Sequence, residues 1–209
     1  MGRWGMCLFQ GDQDLEIRGD ITNAMDLVRP DDDDYDPDKE LQSTAFREKL
    51  DSGLCDKLFK EFRAKEKSVL SWMGLFPDSK MHTVLLAAMV MQSGAKISDD
   101  NMQHLRDIVP RIHSSPGYAW PLNDDGFRDP GKVQFLAALE HYKPGTPRTF
   151  EEMSCYYCGK IQADIGKKLS VCARCKVASY CGHDCQKAHW SAHKPSCFDH
   201  KNPPMMLNV

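Results

Sequence analysis

The 209-residue chain reads as a mainly α protein, a helical N-terminal domain followed by a small metal-bound finger. Three observations predict this. Apolar residues recur at every fourth position from Phe46 to Phe62, Met81 to Met91 is apolar at nearly every position, and seven of the nine cysteines crowd between Cys155 and Cys197. The first is one face of a helix, the second a helix buried on all sides, and the third a set of metal ligands.

Composition narrows the class. With 41% hydrophobic and 27% charged residues the chain has the balance of a soluble globular protein, and no apolar run approaches the roughly 18 residues of a membrane span. Met1 to Leu15 mixes charges and glycines, so no secretory leader is expected, and Met6 stands where myristoylation of Gly2 would want Ser or Thr. The expected setting is intracellular, nucleus or cytoplasm, where thiolates hold metals and disulfides are rare. Residues 1–150 hold nineteen Lys/Arg against twenty-five Asp/Glu, and residues 151–209 eight against five. So slight a basic excess in the finger is too weak for a nucleic-acid face.

The elements follow in order. Residues 2–16 combine glycines with Trp4, Leu8 and Phe9, a loop that tucks aromatics inward ahead of a helix, and Cys7 there reads as a buried thiol. The run Arg29 to Glu40 is acidic, carries two prolines and lacks the Gly and Glu positions of a calcium loop, so a solvated acidic loop is expected. Phe46, Leu50, Leu54, Leu58 and Phe62 then share a helix face, with Gly53 its weak point and Cys55 packing beside it. Gly74 and Pro77 mark a turn over residues 71–79. Met81 to Met91, ended by Ser93-Gly94, is the predicted central helix, its methionines filling core.

Ser98 caps a further helix that carries Met102, Leu105 and Val109 and ends at Pro110. Residues 114–126 are too rich in Gly, Pro, Asn and Asp for extended regular structure. Asp129 as N-cap and Pro130 in the first turn open a helix with Val133, Phe135, Leu136, Leu139 and Tyr142. The stretch from Lys143 to Thr149 closes this domain near residue 150, leaving 151–201 as the finger and 202–209 as a C-terminal tail.

No catalytic residue is predicted. His82, His104, His113 and His141 are scattered, without an H-E-x-x-H metal motif, a nucleophile elbow or a phosphate-cradling glycine loop. Each reads as a surface or satisfied core residue. The alternative is an enzyme with an unrecognised activity in residues 1–150, the finger serving as its recruiting module.

The ligands of the finger fall as Cys155-x2-Cys158, Cys172-x2-Cys175, Cys181-x3-Cys185 and His193-x3-Cys197. Eight donors make two tetrahedral sets, and two C-x2-C pairs with a matched Cys/His tail are a zinc pattern rather than a disulfide framework. His183, His189 and His200 fall outside this register and read as solvent-facing or supporting groups. With all eight donors engaged no coordination position is left for water, so the two Zn2+ are structural. Spacing alone leaves open whether the sets are sequential or crossed.

Within this stretch Cys175, Tyr180, Cys181, Cys185, Gln186, Trp190, His193, Lys194 and Cys197 fill the defining positions of the MYND-type zinc finger, which residues 155–197 closely resemble. The opening residues are loosely similar to those of fungal proteins with the same finger. The resemblance implies a cross-braced pair of sites, Cys155, Cys158, Cys181 and Cys185 on one zinc and Cys172, Cys175, His193 and Cys197 on the other. It also implies a shallow groove bordered by Gln186 and Trp190 that holds short proline-containing peptides, hence a regulatory or transcription-related adaptor with a protein partner. A flat indole suits such preformed extended peptides; the plainer expectation leaves Trp190 wholly inside the finger. The Asn-His-x-Cys run and downstream Tyr motif of the SET methyltransferases that accompany some MYND fingers do not occur, and the C-x3-C and H-x3-C pairs differ from a RING.

Overall fold

The computed structural model describes residues 5–27, 35–66, 79–115 and 126–201. At its centre lies α5 (Ser79–Ser93). Thr83, Leu85, Leu86, Val90 and Met91 are all fully buried, as a helix apolar on every side requires. It packs against α1 (Asp12–Ala24), α2 (Pro37–Leu41), α4 (Cys55–Lys65) and α6 (Asp99–Ile108).

The segment before α1 tucks inward as expected. Leu8 and Phe9 are buried; Phe9 holds a left-handed φ of 64° while its N–H donates to the buried Asp14 carboxylate at 3.0 Å. Trp4 lies outside the described residues. Cys7 is only half-buried, a correction to the reading of a buried thiol, although burial still pushes its pKa up to about 11.

The acidic run needs a second correction. Residues 29–34 lie outside the described residues, but its end is helical: Asp36 caps α2 by accepting from the Asp38 and Lys39 N–H groups, with Pro37 at the first helical position. A side-chain acceptor and a preset φ suffice to start a turn.

The stripe from Phe46 to Phe62 is interrupted. It comprises α3 (Thr44–Lys49), a wide turn over Leu50–Leu54 and α4, because Gly53 adopts a φ of 120° that breaks the helical path. Phe46, Leu50, Leu58 and Phe62 nonetheless all reach the core, and Leu54 packs at its edge. Cys55 is buried there, and its thiol, pushed up to about 12 by burial, meets the Lys96 carbonyl. The turn predicted for 71–79 falls largely outside the described residues.

Ser98 stands at the N-cap of α6 as predicted, without a side-chain bond to the helix. Ser114–Ser115 (β1) pairs in parallel with Phe127–Arg128 (β2). That pairing keeps Arg128 extended, so Arg128 and not Asp129 is the N-cap of α7 (Asp129–His141). Asp129 is its first helical residue and accepts instead from the Ser114 hydroxyl. Phe135 of α7 lies between Phe127 and Phe150, ring centroids 6.2 and 5.8 Å away. Phe150 is fully buried in the same core.

Beyond it come α8 (Gln162–Ile165), the antiparallel pair β3 (Ser170–Val171) and β4 (Ser179–Tyr180), and α9 (His183–His193). Three contacts seat this part on the helices. Arg148 donates both terminal nitrogens to the Asp164 carboxylate at 2.8 Å, the two side chains each 6% exposed. Gln134 Nε2 donates to the Glu152 carbonyl at 3.1 Å. Gly159 lies so close to α7 that a Cβ there would stand 1.8 Å from the Val133 carbonyl oxygen.

Candidate metal centre

Two short loops supply the first two ligand pairs in the same way. In each, the residue after the second cysteine turns left-handed and returns its N–H to the carbonyl of the first: Gly159 (φ 72°) to Cys155 at 2.8 Å, and Lys176 (φ 58°) to Cys172 at 2.9 Å. Glycine suits that conformation, whereas Lys176 adopts it at a cost of about 1–2 kcal/mol. The loops are tied to the hairpin by Tyr156 N–H to the Ser179 carbonyl and Cys172 N–H to the Ala178 carbonyl.

The other two pairs come from α9 and its ends. Cys181 precedes the helix and Cys185 lies in its first turn, while His193 closes it and Cys197 follows a single 3-10 turn, Lys194–Ser196. One helix thus delivers ligands at both ends.

The donors converge in two groups. Cys155, Cys158, Cys181 and Cys185 form one and Cys172, Cys175, His193 and Cys197 the other, the ligand atoms of each within 4.8 Å of one another. The crossed arrangement left open by spacing is the one adopted. Sγ of Cys158 lies 3.4 Å from that of Cys181, Sγ of Cys172 3.8 Å from that of Cys197, and Sγ of Cys175 3.6 Å from Nε2 of His193. A regular tetrahedron with Zn–S bonds of about 2.3 Å has edges of about 3.8 Å.

Electrostatics make the same demand. Burial raises the Cys172 thiol, but the Cys175 and Arg174 N–H groups and His193 outweigh it and bring it down to about 6. Burial and the neighbouring Cys155 and Cys158 push Cys185 up to about 11, and burial with Cys172 pushes Cys197 up to about 11. Four sulfurs in one set, and three beside His193 in the other, cannot all ionise at such distances unless a cation neutralises them, and a thiolate-loving tetrahedral dication does so. Two Cys-rich closed sets therefore fit two structural zinc ions.

The remaining histidines have other tasks. His189 Nδ1 meets the hydroxyl of buried Tyr180 at 3.1 Å, and its ring stacks on that of His193 at 6.2 Å. It steadies a ligand without being one. His200 bonds the Arg174 carbonyl, and His183 is exposed.

Residues 155–197 match the family model for the MYND finger. This stretch is a MYND finger.

Among curated proteins, the chain is similar to the N-lysine methyltransferase SMYD2 of Gallus gallus, 36% identical over 81 residues, and to SMYD2-A of Danio rerio, 33% over 79; each match covers 34% of this chain and 18% of the relative. A SET and MYND domain-containing protein of Dictyostelium discoideum is 42% identical over 45 residues, 21% of this chain and 8% of its own length. The chain thus spans under a fifth of these relatives, in the finger region, and the matches carry no catalytic domain over to it. No solved structure matches the chain.

Of the two residues expected at the MYND groove, Gln186 is half-buried and Trp190 is 40% exposed. The plainer expectation, an indole wholly inside the finger, does not hold. The Trp190 ring stands edge-on to His193 at 5.9 Å, braced on one side by a metal ligand and open on the other. Sequence reasoning missed Gly159, which fits the finger against α7, and the Arg148–Asp164 pair, which ties it to the segment that follows α7. No spacing rule flags such residues, since their partners are remote in the chain or are backbone.

Proposed function

We propose that the chain is a regulatory or transcription-related adaptor that receives a proline-containing peptide of a protein partner across Trp190 and Gln186. The MYND finger is a zinc-binding protein-interaction module. The finer reading rests on one observation, a half-open indole fixed against the zinc ligand His193. Surface aromatics of this kind are strong anchors because the ring is already immobile and loses little entropy on binding. In this reading residues 1–150 are a helical domain that carries the finger, and the protein works inside the cell, in nucleus or cytoplasm.

The test is a pull-down with wild type beside Trp190→Ala, read by mass spectrometry, with zinc content and melting followed in parallel. Loss of specific partners with metal and fold intact is the expected result. Retention of every partner, or loss of folding, would place Trp190 in another role.

A further inference from the structure

A cleft of about 380 Å³ opens where the helical part meets the finger, lined by His141 at the end of α7, by the chain from there to Arg148, and by residues of α8. Two buried nitrogens of its lining residues, Arg148 Nε and His141 Nε2, have no hydrogen-bond partner among the described residues. Buried polar atoms are nearly always partnered, so a pair of orphans at one cleft asks for a ligand.

Arg148 is the stronger half. Its side chain is 6% exposed and gives both terminal nitrogens to the Asp164 carboxylate at 2.8 Å. The guanidinium carries five N–H groups in a rigid fork and no acceptor, so Nε–H is left to donate to a second group on its other edge. His141 Nε2 donates likewise in the tautomer that places its proton there.

Charge decides what that second group is. Asp164 balances Arg148, and the exposed Lys143 adds a positive charge to the lining, so an anionic acceptor fits. Pro147, Ile161 and Ala163 supply an apolar wall, and the Tyr142 hydroxyl is taken by the Ala95 carbonyl. The volume lies in the range of small-molecule sites, about 300–1,000 Å³, which leaves room for a carbon body behind the charge.

We infer that this cleft binds a small organic oxyanion, a carboxylate or phosphate group on an apolar body. The oxyanion accepts from Arg148 Nε and His141 Nε2 with Lys143 beside it, and the body lies on Pro147, Ile161 and Ala163. Both nitrogens are shielded from bulk water, where charge-assisted bonds are strongest. A ligand so placed touches α7, the connecting chain and α8 at once, and its binding stiffens the seam between the two parts. The inference is independent of Trp190 and Gln186.

The experiment titrates the zinc-loaded full chain with benzoate, with phenyl phosphate and, as an uncharged body of similar shape, with benzamide. It reads the Arg148 Nε–H resonance and amide exchange over α8. The expected result is a saturable shift with at least one of the two anions, slower exchange in α8, and no response to benzamide. Benzoate alone marks a carboxylate ligand and phenyl phosphate alone a phosphate ester. Binding should weaken about tenfold in His141→Ala, the loss of one charge-assisted hydrogen bond, and about threefold in Lys143→Gln, which removes only an exposed charge. Lys143→Gln keeps the comparison readable should His141→Ala disturb α7. The absence of a saturable shift with either anion would overturn the inference, as would equal binding of benzamide or wild-type affinity in both variants. The outcome leaves the adaptor reading where the Trp190→Ala pull-down puts it.

Discussion

The helical part and the finger are stabilised by different physics. Around α5 the buried residues are aliphatic and aromatic, including Phe59, Phe62, Phe135 and Phe150, and hold together by non-directional apolar burial. In the finger the buried cluster is Cys155, Cys172, Cys175, Ala178, Tyr180 and Cys197, so most of the interior is ligand. Such a module has too little apolar surface to fold by burial alone, and metal replaces what a core would supply. The difference teaches where each part is vulnerable: one to cavities, the other to chelators.

Removing zinc is the largest test of that contrast. Each structural site contributes about 10–16 kcal/mol at neutral pH, so a chelator should strip hydrogen-exchange protection from residues 155–197 while α5 amides keep theirs. Loss of α5 protection in step would show that the two parts form one cooperative unit.

The converse cut is Phe135→Ala, which empties space between Phe127 and Phe150. A loss of about 3–5 kcal/mol in urea melts is expected, with the metal content still at two zinc ions. Zinc loss in the variant would mean that the finger depends on the helical core to hold its metal.

The seam between the parts is tested by Asp164→Asn, which leaves buried Arg148 without its carboxylate and should cost about 1.5–3 kcal/mol. Burial alone would raise the Asp164 pKa, but the paired bonds from Arg148 and the N–H of Ile161 more than reverse it and hold it low. A depressed folded pKa contributes stability above the ordinary carboxylate value and loses it as pH falls through the folded value. The gap in stability between wild type and variant should therefore be full at neutral pH and close on acidification. A gap that is flat with pH would mean that the pair is not ionised.

The smallest effect is expected at Trp190→Ala, within about 0.5 kcal/mol of wild type in melting experiments because the indole is half in solvent. A larger loss would move Trp190 from the binding surface into the finger's structural frame.

Much of the site was legible because metal geometry acts over short sequence distances. The C-x2-C loops and the four-residue steps at Cys181 and His193 are dictated by where a tetrahedral ion needs its donors. The α5 helix was equally plain, since an apolar run of that length has nowhere to go but inside. Harder were the places where a local preference met a tertiary one. Gly53 turned one apparent stripe into two helices, and the β1–β2 pairing moved the start of α7 by one residue.

By itself the sequence determined which atoms can bind zinc and which helix must be central, because both follow from residue type and local spacing. Only the tertiary structure decided that the ligand pairs cross, that Trp190 faces outward, and that the finger is seated on the helical part through the Arg148–Asp164 pair and the approach of Gly159 to α7. Those features depend on groups far apart in the chain, or on a backbone oxygen such as that of Val133, and no local pattern encodes the distance between them.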